Sequence, residues 1–374
     1  MNRLKYLFAI SFFLLVTCPN ELSGQSISEN TIGENNLLKL HLIHTYELKE
    51  SDYFLSSILD IVHVSDGSIL IITNTEDGVI LYTDRGSVQN RISNFGRGPF
   101  EFVSPRISRV IDNKYFIWDS SQLKLSVFDK NGNGIREYSD FRWAINDFLV
   151  SEDFIYINNR GNSSGKILEK YQLSGSKRDP LFEAIDKTQE HLFLSSIQPS
   201  VRMTCIDDRI LFISPSSLTL YALDTNSNEI KSIILEDDDF HVPHIRNVSN
   251  LWSGAENPAD YLRESSMVTN LFHVDGYIVI IARMGREIFN HTYNVYSSEE
   301  RYFKIFVLDS NLNLKDTFRY SLFENGMLFD GIWFSKGNRL GYVSRQNILN
   351  QPNGGNSIEP YTVHTFEIVS ISKN

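Results

Sequence analysis

Short apolar runs separated by polar turns recur along the whole chain. One copy reads ILDIVHVSDGSILIITNTEDGVILYTDRGSVQNRIS. The next reads ISRVIDNKYFIWDSSQLKLSVFDKNGNGIREYS, and two more begin INDFLVSEDFIYINN and VRMTCIDDRILFISP. A fifth copy with a longer middle runs from Asn270 to about Tyr320, and a sixth from Met327 to Ile371. Each copy holds an apolar strand, a turn of the Asp-Gly kind, a second apolar strand, a third alternating strand and a polar hairpin turn. Alternation as in Leu123-Lys124-Leu125-Ser126-Val127 marks half-buried strands. Asp84-Arg85-Gly86, Asp129-Lys130-Asn131-Gly132 and Asp224-Thr225-Asn226 carry the residues that tight turns require. Helical periodicity with caps is confined to a short stretch near Asn257 to Glu264.

Four-stranded antiparallel units repeating every ~40–50 residues are the pattern of propeller blades. The chain is therefore read as all-β, a six-bladed β-propeller. The sixth copy has three strands, at Gly331–Phe334, Arg339–Ser344 and Tyr361–Ile371, and then the chain ends. Its fourth strand is expected from Leu37 to Glu50, LLKLHLIHTYELKE, which would close the ring and cover the open edge. Residues 37–374 are read as one propeller domain, interrupted at about 237–266 and 286–301.

The first 24 residues are set apart from this pattern. Arg3 and Lys5 precede an apolar run from Tyr6 to Val16 that is too short to span a bilayer. This is the layout of a secretory signal. Leu15-Val16-Thr17-Cys18 resembles a lipobox that would lipidate Cys18, and cleavage near Gly24 is the other end consistent with the sequence. The expected location is the periplasm, or the outer membrane or cell surface if a lipid anchor is present. Cys205 is the only other cysteine, so no intrachain disulfide is expected and the core must hold the fold. The formal charge is −11. Loss of Arg3, Lys5 and Glu21 with the leader takes it to about −12. Such an acidic surface disfavours nucleic acid as a partner.

The stretch GRGPFEFVSPRISRVIDNKYFIWDSSQLKLSVFDKNG resembles the NHL-type repeat. It has the Gly-rich entry, a proline a few residues on, Asp119 after the second strand and a closing Val-Phe-Asp-x-x-Gly. With the leader and the terminal closure, the chain resembles the six-bladed propellers exported by Bacteroidetes-type bacteria. That resemblance implies an exported binding protein, many such proteins being lipoproteins. Those proteins usually carry Gly-Pro-Gly-Glu-Phe/Tyr. Phe100 stands here in the place of the second glycine, where a side chain disfavours positive φ.

NFGRGPFEFVSPR lacks the helix and the Lys-Ser/Thr of a phosphate loop, so it is read as an inter-blade crossover. Counting back from the first turn of each copy gives Asp60, Arg106, Asn146, Arg202, Asn270 and Asp330, a candidate polar ring at one mouth of the axial channel. Asp60, Asn146, Asn270 and Asp330 carry oxygens suited to calcium, but Arg106 and Arg202 in the same ring argue against it. His241-Val-Pro-His244 lacks a third ligand. No metal and no cofactor is expected. The two interruptions carry Trp252, Tyr261, Tyr293 and Tyr296, aromatic groups suited to contacting a sugar or peptide. No Cys/His pairing can be defended from spacing. The expected role is a monomeric binding module at the bacterial envelope, with a glycan, peptide or envelope protein as partner. The competing reading is a propeller enzyme, a metal-dependent lactonase or lyase or a glycan hydrolase, acting at the axial mouth.

Overall fold

The structure is a computed structural model. It describes residues 30–371 apart from 36, 50–57, 74–77, 93, 140, 142–144, 152–153, 160–165, 174–177, 184–202, 243–262, 286–287, 291–294, 298–300, 322, 325–326 and 347–359. Strands β1 (Asn30–Ile32) and β2 (Leu38–Glu47) come first. Blade 1 is β3 (Ile58–His63), β4 (Ile69–Thr73), β5 (Val79–Tyr82) and β6 (Val88–Arg91). Blade 2 is β7 (Pro105–Ile111), β8 (Lys114–Asp119), β9 (Lys124–Phe128) and β10 (Gly134–Tyr138). Blade 3 is β11 (Ile145–Ser151), β12 (Phe154–Asn159), β13 (Lys166–Gln172) and β14 (Arg178–Glu183). Blade 4 is β15 (Met203–Ile206), β16 (Arg209–Ile213), β17 (Thr219–Asp224) and β18 (Ile230–Ile234). Blade 5 begins with β19 (Met267–Val274) and β20 (Tyr277–Met284). It continues through a separate hairpin, β21 (Ile288–Asn290) and β22 (Val295–Ser297), to β23 (Tyr302–Leu308) and β24 (Leu314–Ser321). After the short β25 (Phe323–Glu324), blade 6 is β26 (Met327–Lys336), β27 (Arg339–Gln346) and β28 (Thr362–Ser370), with β2 as its outer strand.

The first strands of consecutive blades touch in a closed cycle: β3 with β7, β7 with β11, β11 with β15, β15 with β19, β19 with β26, and β26 with β3. Six hydrophobic clusters fill the six gaps between neighbouring blades. The two-residue period of a strand explains how one blade serves two gaps. On β4, Ile69 and Ile71 join the gap to blade 6, while Leu70 and Ile72 join the gap to blade 2. On β20, Ile278 and Ile280 face blade 4, while Val279 and Ile281 face blade 6. A strand covered on both faces must be apolar at every position, which is why the second strands read as unbroken runs such as Ile-Leu-Ile-Ile. Outer strands such as β10 are largely exposed and polar.

The ring is closed as the repeat pattern predicts. β2 pairs antiparallel with β28, from Leu38 opposite Ser370 to Glu47 opposite Thr362. Leu38 and Leu40 enter the gap between blades 5 and 6. The sequence does not reveal how the segment before β2 is seated. The buried carboxylate of Asp316, on β24, accepts the backbone N–H groups of Asn35 (2.7 Å), Leu37 (2.9 Å), Leu38 (2.9 Å) and its neighbour Thr317 (2.9 Å). Glu34 N–H donates to the Thr317 carbonyl at 2.7 Å. A Cβ on Gly33 would collide with this carboxylate, so the close approach requires glycine. Arg263 and Glu264 are helical, and the rest of the expected helix, 257–262, lies outside the described residues.

Candidate functional site

Antiparallel order within each blade sorts the connections onto two faces. A crossover from one blade ends where the next first strand begins, so crossovers and second-to-third-strand connections share one face. Turns between first and second strands, and between third and fourth, share the other. The second face has tight turns such as 112–113, 275–276, 129–133 and 309–313. Gly132 there takes φ of 83°, a conformation open to glycine at little cost. The strand ends joined by the long connections 184–202, 235–266, 285–301 and 347–361 lie at the crossover face.

The heads of the first strands open onto that same crossover face. In four blades the ladder skips one residue there, between Ile58 and Asp60, Pro105 and Ile107, Ile145 and Asp147, and Val268 and Asn270. The skipped residues, Leu59, Arg106, Asn146 and Thr269, form β-bulges. Asp60, Ile107, Asp147 and Asn270 therefore occupy equivalent places, and Arg106 and Asn146 sit one residue earlier. The candidate ring thus divides into two sets, because counting back from the turns takes no account of the bulge. Asp330 lies on β26 opposite Arg345, and Arg202 is outside the described residues.

The first set stitches blades together. The Asp60 carboxylate accepts the Ser108 N–H at 2.6 Å and the Ser108 hydroxyl at 2.9 Å. The Asp147 carboxylate accepts the Met203 N–H at 2.9 Å and its neighbour Phe148 N–H at 2.8 Å, and it pairs with the Arg109 guanidinium. The Asn270 amide donates to the Trp333 carbonyl at 3.2 Å. Each side chain thus bonds the main chain of the following blade's first strand. Arg109, almost fully buried, bridges blade 2 to blade 3 and lies over the Phe148 ring. Burial pushes the Asp60 pKa up, opposed by the Arg109 charge and the bonds from Ser108. Burial lowers the Arg109 pKa to about 10, opposed by Asp60. Asn146 donates to the Asn158 side chain at 3.4 Å. Cys205 on β15 opens to solvent and is not a core residue. The surrounding chain still desolvates its thiol and raises its pKa, so it is not an activated nucleophile.

Most N–H groups of the Gly-rich crossover are already engaged. Gly96 N–H donates to the Phe102 carbonyl, Gly98 N–H to Glu101 Oε2 at 2.7 Å, and Phe100 N–H to Glu137 Oε1 at 2.9 Å. Val103 and Ser104 N–H groups both donate to Asp119 Oδ2. Lys124, buried, donates to the Glu101 carbonyl at 3.0 Å and pairs with Glu137 at 2.7 Å. Phe100 departs from expectation: it takes φ of 59°, the left-handed conformation of the family's glycine. Its ring packs edge-on against Phe128 and lies over Gly134, where a Cβ would collide with it. That packing offsets a backbone cost of about 1 kcal/mol.

The first end of the interruption at 237–266 is fixed to blade 5, and its two described ends are tied to each other. Asp237 pairs with Lys304 at 2.7 Å, Tyr302 Oη donates to Asp239 at 2.5 Å, and Ser266 N–H donates to the His241 carbonyl at 2.6 Å. Trp252, Tyr261, Tyr293 and His244 lie outside the described residues, and Tyr296 is on β22 opposite Phe289. Among the described residues, no group of three or more His, Cys, Asp or Glu side chains is placed to hold a metal ion. Among them, too, no helix is long and apolar enough to cross a membrane.

A sequence profile of the DUF5128 family, described as a 6-bladed β-propeller, matches residues 25–329. No curated protein sequence matched the chain. Among solved structures, a DUF4221 family member from Bacteroides vulgatus superposes with a TM-score of 0.62 at 12% identity, covering 90% of this chain and 100% of that one. A candidate exported protein from Bacteroides fragilis superposes with a TM-score of 0.57 at 13% identity, covering 89% of this chain and 96% of that one. At these identities the likeness concerns the fold.

Proposed function

Because the chain belongs to the DUF5128 family of six-bladed β-propellers, we propose that it is an exported binding module of the bacterial envelope that engages its ligand through the crossover face. One observation carries the reading: strand direction brings the heads of the first strands and the strand ends that the long connections join to the same face. Long connections on a rigid scaffold are where binding concentrates. The opposite face offers tight turns whose side chains bond their own backbone, as Asp129 and Asp309 do. The signal-like leader and the exported Bacteroides neighbour support an extracytoplasmic location. An anchor at Cys18 is the route proposed for any membrane attachment. The partner is a glycan, peptide or envelope protein, engaged by a monomer.

The metal-enzyme alternative finds little support in the donor chemistry. The Asp60 and Asp147 carboxylates are occupied by backbone N–H groups, a hydroxyl and a guanidinium, and a cation site needs carboxylate oxygens free to converge. The test is a thermal-shift screen of the purified protein against glycans, peptides, calcium, zinc and a chelator, since a ligand of the native state must raise the midpoint. Hydrogen exchange with the best ligand then locates it. Protection at 94–104 and 120–123 is expected. Protection at 129–133 and 309–313 instead, or a shift with metal alone that the chelator reverses, would sink the proposal.

A further inference from the structure

Bulge positions at the heads of the first strands hold Leu59, Arg106, Asn146 and Thr269, so the bulge itself does not call for a long cation. Arg106 is half-buried. Its Nε donates to Ser104 Oγ at 3.3 Å, and among the described residues its two terminal Nη groups have neither a hydrogen bond nor a carboxylate partner. The other arginine of this strand, Arg109, is paired with Asp147, and Asp60 is bound by Ser108. Asp60 and Asp147 are therefore already engaged, and none of these contacts involves Arg106.

Ser104 adds a hydroxyl beside this guanidinium. Its Oγ accepts from Arg106 Nε and from the Ser120 hydroxyl at 3.2 Å. The single Ser120 proton lies equally close to the Ser104 carbonyl, at 3.2 Å, so the Ser104 proton is free for a ligand when Ser120 donates to Oγ. The donor capacity open in this group is the two Nη groups of a forked guanidinium, with the Ser104 hydroxyl beside them. A planar fork matched by a nearby hydroxyl suits the paired oxygens of a carboxylate, sulfate or phosphate.

We infer that Arg106 and Ser104, at the head of β7, form an oxyanion-binding position on the crossover face, one that takes a carboxylate, sulfate or phosphate group of the ligand. The inference rests on the crossover face being the binding face. It would give a chain of net charge −11 a cationic contact for an anionic ligand, since among the described residues the Arg106 guanidinium has no carboxylate partner.

The test is a titration of the purified full chain with sodium sulfate, sodium acetate and sodium D-glucuronate at fixed ionic strength. The readout is the Nε–Hε resonance of Arg106, assigned by its loss in Arg106→Lys. A saturable shift is expected with at least one anion. Arg106→Gln should weaken that binding by about tenfold or more, Ser104→Ala a few-fold, and Arg106→Lys should retain part of it. A stronger response to glucuronate than to acetate or sulfate would identify a sugar acid as the source. Equal responses would identify a bare oxyanion site. Both outcomes support the inference. An Arg106 resonance that does not move with any anion, or binding that survives Arg106→Gln in a variant with an unchanged melting midpoint, overturns it. Hydrogen exchange with a ligand from the screen judges the face separately. Protection at 94–104 together with a silent Arg106 would overturn the oxyanion position alone, and protection at 129–133 would overturn the face.

Discussion

Replacing Asp316 with alanine should loosen the seat of the strand that closes the ring. The carboxylate receives four backbone N–H groups, three of them from residues 35–38. Hydrogen bonds to a charged group are worth ~1.5–3 kcal/mol each, but water can replace the carboxylate at the exposed Asn35 and Leu37. Leu38 and Thr317 are buried and would be left with unpaired N–H groups, each costing ~1–3 kcal/mol. The expected loss is therefore about 3–5 kcal/mol. Asp316→Asn keeps one acceptor oxygen and should lose about half of that. Urea unfolding followed by tryptophan fluorescence measures the global change, and native-state hydrogen exchange at 38–47 measures opening of β2 from β28. If β2 opens by itself, exchange will report a larger loss than urea does. A loss below about 1 kcal/mol in urea, with unchanged protection of β2, would refute the view that this carboxylate seats the closing strand.

Three further outcomes are expected. Burial lowers the His364 pKa to about 4, and the ring lies between Thr45 on β2 and Ser344 on β27. The neutral form is the one the fold accepts, so stability should be complete above pH ~6.5 and fall by up to about 3 kcal/mol as pH drops towards 4; the urea midpoint against pH should flatten over that window in His364→Asn. Asp147→Ala leaves Arg109 buried without its partner and should cost about 3–5 kcal/mol, much of it recovered in the Arg109→Met, Asp147→Ala double variant; a double variant as unstable as the single one would show that the pair is not what the substitution disrupts. Phe100→Ala loses the ring but keeps a Cβ at positive φ, so thermal melts should show it less stable than Phe100→Gly by about 1 kcal/mol, and the reverse order would contradict the left-handed backbone there.

The strands, their grouping into six units and the borrowed strand of blade 6 were legible in the residues because each rests on a short-range signal. The run Ile69–Thr73 is buried at every position, and Gly86 and Gly132 turn with positive φ where their Asp-x-Gly or Asn-Gly settings call for it. The candidate ring was legible only in part. Asp60 and Asn270 fall at equivalent places, but a bulge moves Arg106 and Asn146 one residue out of that register. Aligning Asp147, rather than Asn146, with Asp60 would have brought the stitching residues together, and the pattern of acid or amide at that place in blades 1, 3 and 5 was the available signal.

Local chemistry thus determined strands, turns and blade count, since alternation and turn residues act over a few positions. The fold alone decided which partner each polar side chain meets. Asp316 lies 281 positions from the Asn35 N–H it accepts, and Asp147 lies 56 from that of Met203. The left-handed backbone at Phe100 depends on Glu137, Phe128 and Gly134, all from the outer half of blade 2. Such contacts form only when the blades have packed, because a buried charge or a strained backbone angle persists only where the completed surroundings supply its compensating bonds and contacts.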